Sequence, residues 1–165
     1  MTRVVLTTAD EDETLAVGRA LATALRGGER IGLYGELGAG KTCFVRGLAE
    51  GLGIPPDDVR SPSFPILIPY ESGRLPLYHI DLFRLPAGDI DSLSLREYIY
   101  GTGVCAIEWP ERLDEPLDDH LEIRIEFAPG GGRHLLAVAH GSGYVAAIDA
   151  LDEIRARKVL KKSHR

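Results

Sequence analysis

Eight consecutive residues, Gly35-Glu36-Leu37-Gly38-Ala39-Gly40-Lys41-Thr42, constrain this chain more than any other feature. They match the phosphate-loop pattern G-x-x-x-x-G-K-S/T in full. The apolar run Ile31-Gly32-Leu33-Tyr34 leads straight into the loop and reads as a buried strand. Beyond it, Val45, Leu48 and Leu52 mark one stripe of a helix from Lys41 to about Leu52, which Gly53 and Pro55-Pro56 end. Gly35, Gly38 and Gly40 let the backbone wrap an anion with its N–H groups inward. The helix aims its positive end at that anion. Lys41 reaches the β- and γ-phosphates of a nucleotide, and the Thr42 hydroxyl is a ligand for Mg²⁺. The expected nucleotide-contacting residues are therefore Glu36, Leu37, Gly38, Ala39, Gly40, Lys41, Thr42 and Cys43.

The remaining pattern fits around this unit. Val4-Val5-Leu6 reads as a strand, and Thr8 and Glu11 have capping-box spacing ahead of a helix bearing Leu15, Gly18, Leu21 and Leu25. Gly27-Gly28 stops that helix. Phe64–Tyr70 and Leu75–Asp81 read as a hairpin, with Pro65 and Pro69 demoting the first strand to an edge. One or two short helices are expected over Ala87–Tyr100. Val104-Cys105-Ala106-Ile107 is a buried strand ending at Glu108. Leu121–Phe127 alternates apolar and polar residues, and Gly130-Gly131-Gly132 returns it to a partner strand over His134–Ala139. The fold class is α/β: a P-loop NTPase-like three-layer fold with a mixed central sheet and antiparallel hairpins. Gly141 and Gly143 make a flexible joint before a terminal helix with Val145, Ile148, Leu151 and Ile154. The expected organisation is a P-loop domain over 1–140, then a helix and basic tail over 141–165, frayed at its end.

Composition narrows the function. The formal net charge is -6, yet Leu151–Arg165 alone carries +4, which leaves an acidic body of -10. Such a body does not clamp nucleic acid by itself. The tail reads as a solvated end or as a dock for tRNA or an acidic partner. No apolar run reaches the ~20 residues of a membrane span, and no signal core follows Met1, so a cytoplasmic protein without a membrane partner is expected. The two cysteines, Cys43 and Cys105, read as small core residues rather than a metal cage or a disulfide. The chain has neither Asn nor Gln. Guanine recognition of the Asn-Lys-x-Asp type and water positioning by Gln are both impossible, so a carboxylate or a partner must orient the attacking water.

Two carboxylates end apolar strands, where an α/β sheet presents its ligand crevice. Asp81 follows Leu77-Tyr78-His79-Ile80, and Glu108 follows Val104–Ile107. With Lys41 they make the candidate catalytic set; with Thr42 they make the candidate metal set. Glu108 is preferred for the water and Asp81 for the metal, and the order can be exchanged. His79 is a ligand or a packed strand residue. Trp109 stacks near the nucleotide or fills the core, and Arg60 and Arg84 are transition-state cations or surface residues.

The phosphate loop, Ser61-Pro62-Ser63-Phe64, His79-Ile80-Asp81-Leu82-Phe83-Arg84-Leu85 and Ile107-Glu108-Trp109-Pro110-Glu111, in that order, resemble the bacterial TsaE (YjeE) family from about Thr8 to Arg133. The resemblance implies a P-loop fold, Mg-ATP hydrolysis and a role in making threonylcarbamoyladenosine in tRNA. It also implies action on the TsaB–TsaD complex, which modifies adenosine 37 and which hydrolysis resets between turnovers; tRNA is then met only through that complex. Lys41 and Thr42 are implied to bind phosphate and metal, and Asp81 to be a metal or water residue. Glu108 is implied to be the acidic residue of the Walker B strand, Ser63 part of a switch-like segment, and Trp109 a neighbour of the nucleotide. The usual Ser-Pro-Thr-Phe-Thr is changed here, with Ser63 keeping a hydroxyl and Pro65 losing one; Phe83 stands where Tyr is common. Two other readings share the phosphate loop: a small-molecule kinase, for which Arg96 is the single lid arginine between Arg84 and Arg112, and a nucleotide-dependent interaction module with little turnover.

Overall fold

Alternation of apolar residues at two periods produces the elements, and the glycines set where they meet. The computed structural model describes residues 2–62, 66–86 and 92–163, without the side chains of 92, 93 and 160–163. Ser63, Phe64, Pro65, the expected helical start at Ala87, and His164-Arg165 lie outside the described residues. The strands are β1 (Arg3–Thr8), β2 (Arg30–Tyr34), β3 (Leu67–Tyr70), β4 (Leu77–Asp81), β5 (Val104–Glu108), β6 (His120–Phe127) and β7 (Arg133–His140). The helices are α1 (Glu11–Ala22), α2 (Lys41–Gly51), α3 (Ser92–Ile99) and α4 (Val145–Ser163).

The strands form one sheet in the order β1-β7-β6-β2-β5-β4-β3. Its centre, β6-β2-β5-β4, is parallel. Both margins are antiparallel, through β3 on β4 and through β7 on β6 and β1. The expected mixed sheet is thus observed, and β3, which carries Pro69, is an edge strand. Strand alternation sorts the sheet into two faces. Val104 and Ala106 join Ile31, Leu33, Leu121, Ile123 and Ile125 under α1, α2 and α4. Cys105 and Ile107 join Ile80, Leu95 and Ile99 on the α3 side. These are the three expected layers.

Three local readings are corrected. Asp10, not Thr8, caps α1: its carboxylate accepts from the Glu13 amide at 2.9 Å, and Glu13 reaches back to the Ala9 amide at 2.8 Å. Thr8 instead pairs with Thr14, hydroxyl to hydroxyl at 2.8 Å, because β1 ends there and turns both side chains inward. Cys43 is half-buried rather than a core residue, its thiol directed to the Glu11 carbonyl at 3.3 Å. Phe127 leaves the buried face where β6 outruns the helices above it, and lies 4.3 Å from the Arg133 guanidinium.

Beyond β7, Gly141 sits at φ +109° and Tyr144 is buried, its hydroxyl accepting from the Arg30 amide at 2.9 Å and donating to the Asp119 carbonyl at 3.2 Å. Ile148 and Leu151 of α4 enter the same core as α1, whereas Val145 is exposed. Part of the basic tail is internally paired: Lys158 with Glu13 at 2.7 Å, and Arg155 with Asp152 at 2.6 Å.

Glycine lets α1 and α2 touch backbone to backbone. A Cβ on Gly47 would strike the Leu15 carbonyl oxygen, and one on Gly18 would strike the Phe44 carbonyl oxygen. This close crossing fixes α2, and hence the loop that begins it. Gly47→Ala should gain ~1 kcal/mol of helix propensity but lose about 3 kcal/mol to overpacking against immovable backbone. The expected net loss of about 2 kcal/mol is read from the urea unfolding midpoint at unchanged slope.

Candidate functional site

Strand β2 is central, so the loop leaving its carboxyl end is flanked by the ends of β5 and β6. Gly40 is the cap residue of α2 at φ +112°, with no side-chain oxygen to satisfy the helix's first amides. The first turn of α2 also has no acidic residue. Those amides are therefore available to an external anion. A Cβ on Gly35 would strike the Ile125 carbonyl oxygen, so only glycine allows the loop to leave β2 along the end of β6. The Lys41 ammonium donates to the Gly35 carbonyl at 2.5 Å and the Glu36 carbonyl at 2.9 Å. Burial lowers its pKa, against which Glu108, Asp81 and Glu111 pull upward.

The carboxylates arrive through sheet register. Asp81 and Glu108 are direct partners across β4 and β5, and Glu108 is also level with Leu33 of β2. Alternation turns both toward the α2 face. Glu108 is 3% exposed, and both its oxygens lie 3.1 Å from the Thr42 hydroxyl, which donates to them. His79, fully buried on the neighbouring strand, bonds the same carboxylate at 2.6 Å through Nε2. A carboxylate only accepts, so Nε2 carries the hydrogen. Nδ1 has no hydrogen-bond partner among the described residues, and a proton there would be a buried, unsatisfied donor. Asp81 is 8% exposed, accepting from the Phe83 amide at 2.9 Å and the Ser61 hydroxyl at 3.3 Å. Burial raises its pKa, with Glu108 adding to the rise, while the Phe83 and Ser61 hydrogen bonds oppose it.

Trp109 is the one non-glycine residue with positive φ among those described, at +60°. That sparsely populated conformation places its ring 4.4 Å from the Lys41 Nζ and 5.1 Å from the Phe83 ring. A cavity of about 500 Å³ lies between Gly35, Glu36 and Trp109 on one side and Ile125–Phe127 on the other. A family model described as threonylcarbamoyl adenosine biosynthesis protein TsaE matches residues 8–135.

The chain belongs to the TsaE family.

Its TsaE relatives include the Bacillus subtilis tRNA threonylcarbamoyladenosine biosynthesis protein, 41% identical over 83% of this chain and 86% of that one. The Treponema pallidum protein of the same name is 42% identical over 74% of this chain and 91% of its own. The crystal structure of Bacillus subtilis YdiB superposes with a TM-score of 0.78 at 34% identity, covering 93% of this chain and 97% of that one. The chain is thus a member of the family of tRNA threonylcarbamoyladenosine biosynthesis. The match ends before α4.

Within this TsaE site, Lys41, Thr42, Asp81, Glu108 and Trp109 are brought together. Glu36, Leu37 and Gly38 are exposed; Leu37, 68% exposed, can offer a ligand only its backbone. Ala39 is buried, and the Cys43 side chain faces α1, leaving its amide as the group at the loop. Arg60 and Arg84 are exposed. The guanidinium beside the aromatic pair is that of Arg112, 5.6 Å from both the Phe83 and Trp109 rings. Arg133 also escapes sequence reasoning, although it braces the loop by donating to the Ala39 carbonyl at 2.8 Å and the Gly38 carbonyl at 3.4 Å. A contact between β7 and a loop so distant in sequence leaves no local pattern.

Asp81 binds its proton more tightly folded than unfolded, so its ionisation works against the fold. That cost is absent below the ordinary aspartate value of 3.8, where both states are protonated, and grows as pH rises through the folded value. Asp81→Asn should therefore melt at a higher temperature than the parent at pH 7, with the difference shrinking as the pH is lowered toward about 4.

Proposed function

We propose that this chain is a cytoplasmic Mg²⁺-dependent ATPase of tRNA threonylcarbamoyladenosine biosynthesis, acting on the TsaB–TsaD complex to reset it between turnovers. The supporting observation is the Thr42 hydroxyl held on the buried Glu108 carboxylate, directly beneath an uncapped helix start. Thr42, Glu108 and Asp81 offer only oxygen donors, which suits a hard, octahedral cation. The uncapped amides and Lys41 suit the phosphates. No helix among the described residues is long and apolar enough to cross a membrane. Arg96, the one candidate lid arginine, is engaged by Tyr100 at 5.0 Å and by Glu115 at 3.5 Å, so the kinase reading gains no support.

Magnesium, when bound, would supply positive charge to the β- and γ-phosphate oxygens. Thr42 and Glu108 would hold that ion, because their oxygens already meet; the His79 N–H keeps the carboxylate turned toward Thr42. Asp81, one strand further out and more basic than an ordinary aspartate, would orient the attacking water and accept its proton. This order of the two carboxylates reverses the preference drawn from sequence. Lys41 would leave the Gly35 and Glu36 carbonyls for the γ-phosphate oxygens.

Trp109 is the single tryptophan, so its fluorescence should change on titration with Mg-ATP as Lys41 moves from its ring. Lys41→Ala should weaken nucleotide binding at least about tenfold, the loss of one charge-assisted hydrogen bond. Asp81→Asn should bind Mg-ATP normally and turn over at least roughly a hundredfold more slowly. Glu108→Gln should lose the Mg²⁺-dependent part of the affinity. Phosphate release should rise when TsaB and TsaD are added; release indifferent to both would remove them from the proposal.

A further inference from the structure

The sheet face opposite α1 and α2 carries a second cluster that the phosphate site does not use. Leu121, Ile123 and Ile125 of β6 point into the helical core, so His120, Glu122 and Arg124 point the other way. His120 of β6 pairs directly with His140 of β7, and their rings stack at 4.6 Å with 17° between planes. Glu122, two residues along the same face, accepts from His140 Nε2 at 2.8 Å through Oε2. One donor atom from each of these three residues lies within 4.8 Å of the other two.

The supporting contacts are those of a ligand set. The His120 Nδ1 lies 2.8 Å from the Asp118 carbonyl, which can only accept, so Nδ1 carries the hydrogen and Nε2 keeps its lone pair. Burial lowers the His120 pKa, which favours the neutral, ligating ring. The Arg124 guanidinium bonds Oε1 of Glu122 at 3.0 and 3.2 Å, leaving Oε2 as the inward oxygen. Burial alone would raise the Glu122 carboxyl; the hydrogen bonds from His140 and Arg124 outweigh it and hold the group ionised below the usual range. Glu122 is level with Gly32, at the middle of β2, whereas the phosphate loop starts beyond Tyr34. The two sites are separate.

We infer that His120, Glu122 and His140 form a binding site for a divalent transition-metal ion of the zinc class. Two imidazoles and one carboxylate select zinc, cobalt or nickel over magnesium. Metal–ligand bonds of about 2.0–2.2 Å put tetrahedral donors roughly 3.3 Å apart, so the His140–Glu122 pair at 2.8 Å opens slightly, the wider separations close, and the half-exposed His140 ring tilts out of its stack on His120. On binding, the His140 ring changes tautomer, Nε2 releasing its hydrogen to solvent and Nδ1 taking one from solvent, so the metal replaces the His140–Glu122 hydrogen bond. The ion would pin β6 to β7 just before the Gly141 turn into α4.

The test is a Co²⁺ titration of the untagged, full-length protein in excess Mg²⁺, followed by visible absorption. One equivalent of Co²⁺ should give a ligand-field band stronger than that of the aqueous ion, Zn²⁺ should bleach it, and Zn²⁺ should raise the melting temperature. His140→Ala and Glu122→Gln should each weaken binding by at least roughly tenfold, while His134→Ala, exposed elsewhere on β7, should not. Absence of a band, or a band unaffected by His140→Ala, would overturn the site and leave the pair as a stacked, hydrogen-bonded packing feature.

Discussion

The site depends on a carboxylate that has been taken out of water. Glu108 is almost wholly buried, and burying a charge is costly unless hydrogen bonds replace its hydration. Here the Thr42 hydroxyl and the His79 imidazole replace it. Each donor comes from a different element: α2, β4 and β5 must all be in place for the carboxylate to be satisfied. The requirement ties the phosphate loop to the two strands beside it. The glycine crossing of α1 on α2 serves the same end, because it fixes where α2 can begin.

Around that carboxylate the site is graded in polarity. Lys41 sits between carbonyls, an indole face and three acids, with burial pulling its pKa down and the acids pulling it up. Asp81 also keeps two donors, the Phe83 amide and the Ser61 hydroxyl, yet burial holds it more basic than an ordinary aspartate. Two carboxylates level with one another on adjacent strands thus meet different donors. The opposite face repeats the principle with different donors, since the stacked His120–His140 pair is organised by a carbonyl, an arginine and a carboxylate.

The parallel centre and antiparallel margins of the sheet explain how a short chain carries both clusters. Parallel strands β2, β5 and β4 bring their carboxyl ends to the phosphate loop. The antiparallel β6–β7 hairpin sends β7 back so that His140 returns to His120. The same return brings Arg133, at the other end of β7, against the loop carbonyls of Gly38 and Ala39.

Much of this was written locally. The loop, the strand before it and the helix after it follow from glycine spacing and two hydrophobic periods, as do β5 ending at Glu108 and the edge position of β3. The absence of Asn and Gln leaves the positioning of an attacking water to a carboxylate or a partner. Local pattern failed where a short polar group had to choose among several partners: Asp10 took the cap for which Thr8 has the spacing. Tertiary structure alone decided that Asp81 and Glu108 share a register, that His79 bonds Glu108, that Arg133 braces the loop and that two histidines stack across β6 and β7. Those facts depend on strand order and register, which are set by the packing of distant apolar residues and leave no trace at the polar positions they align.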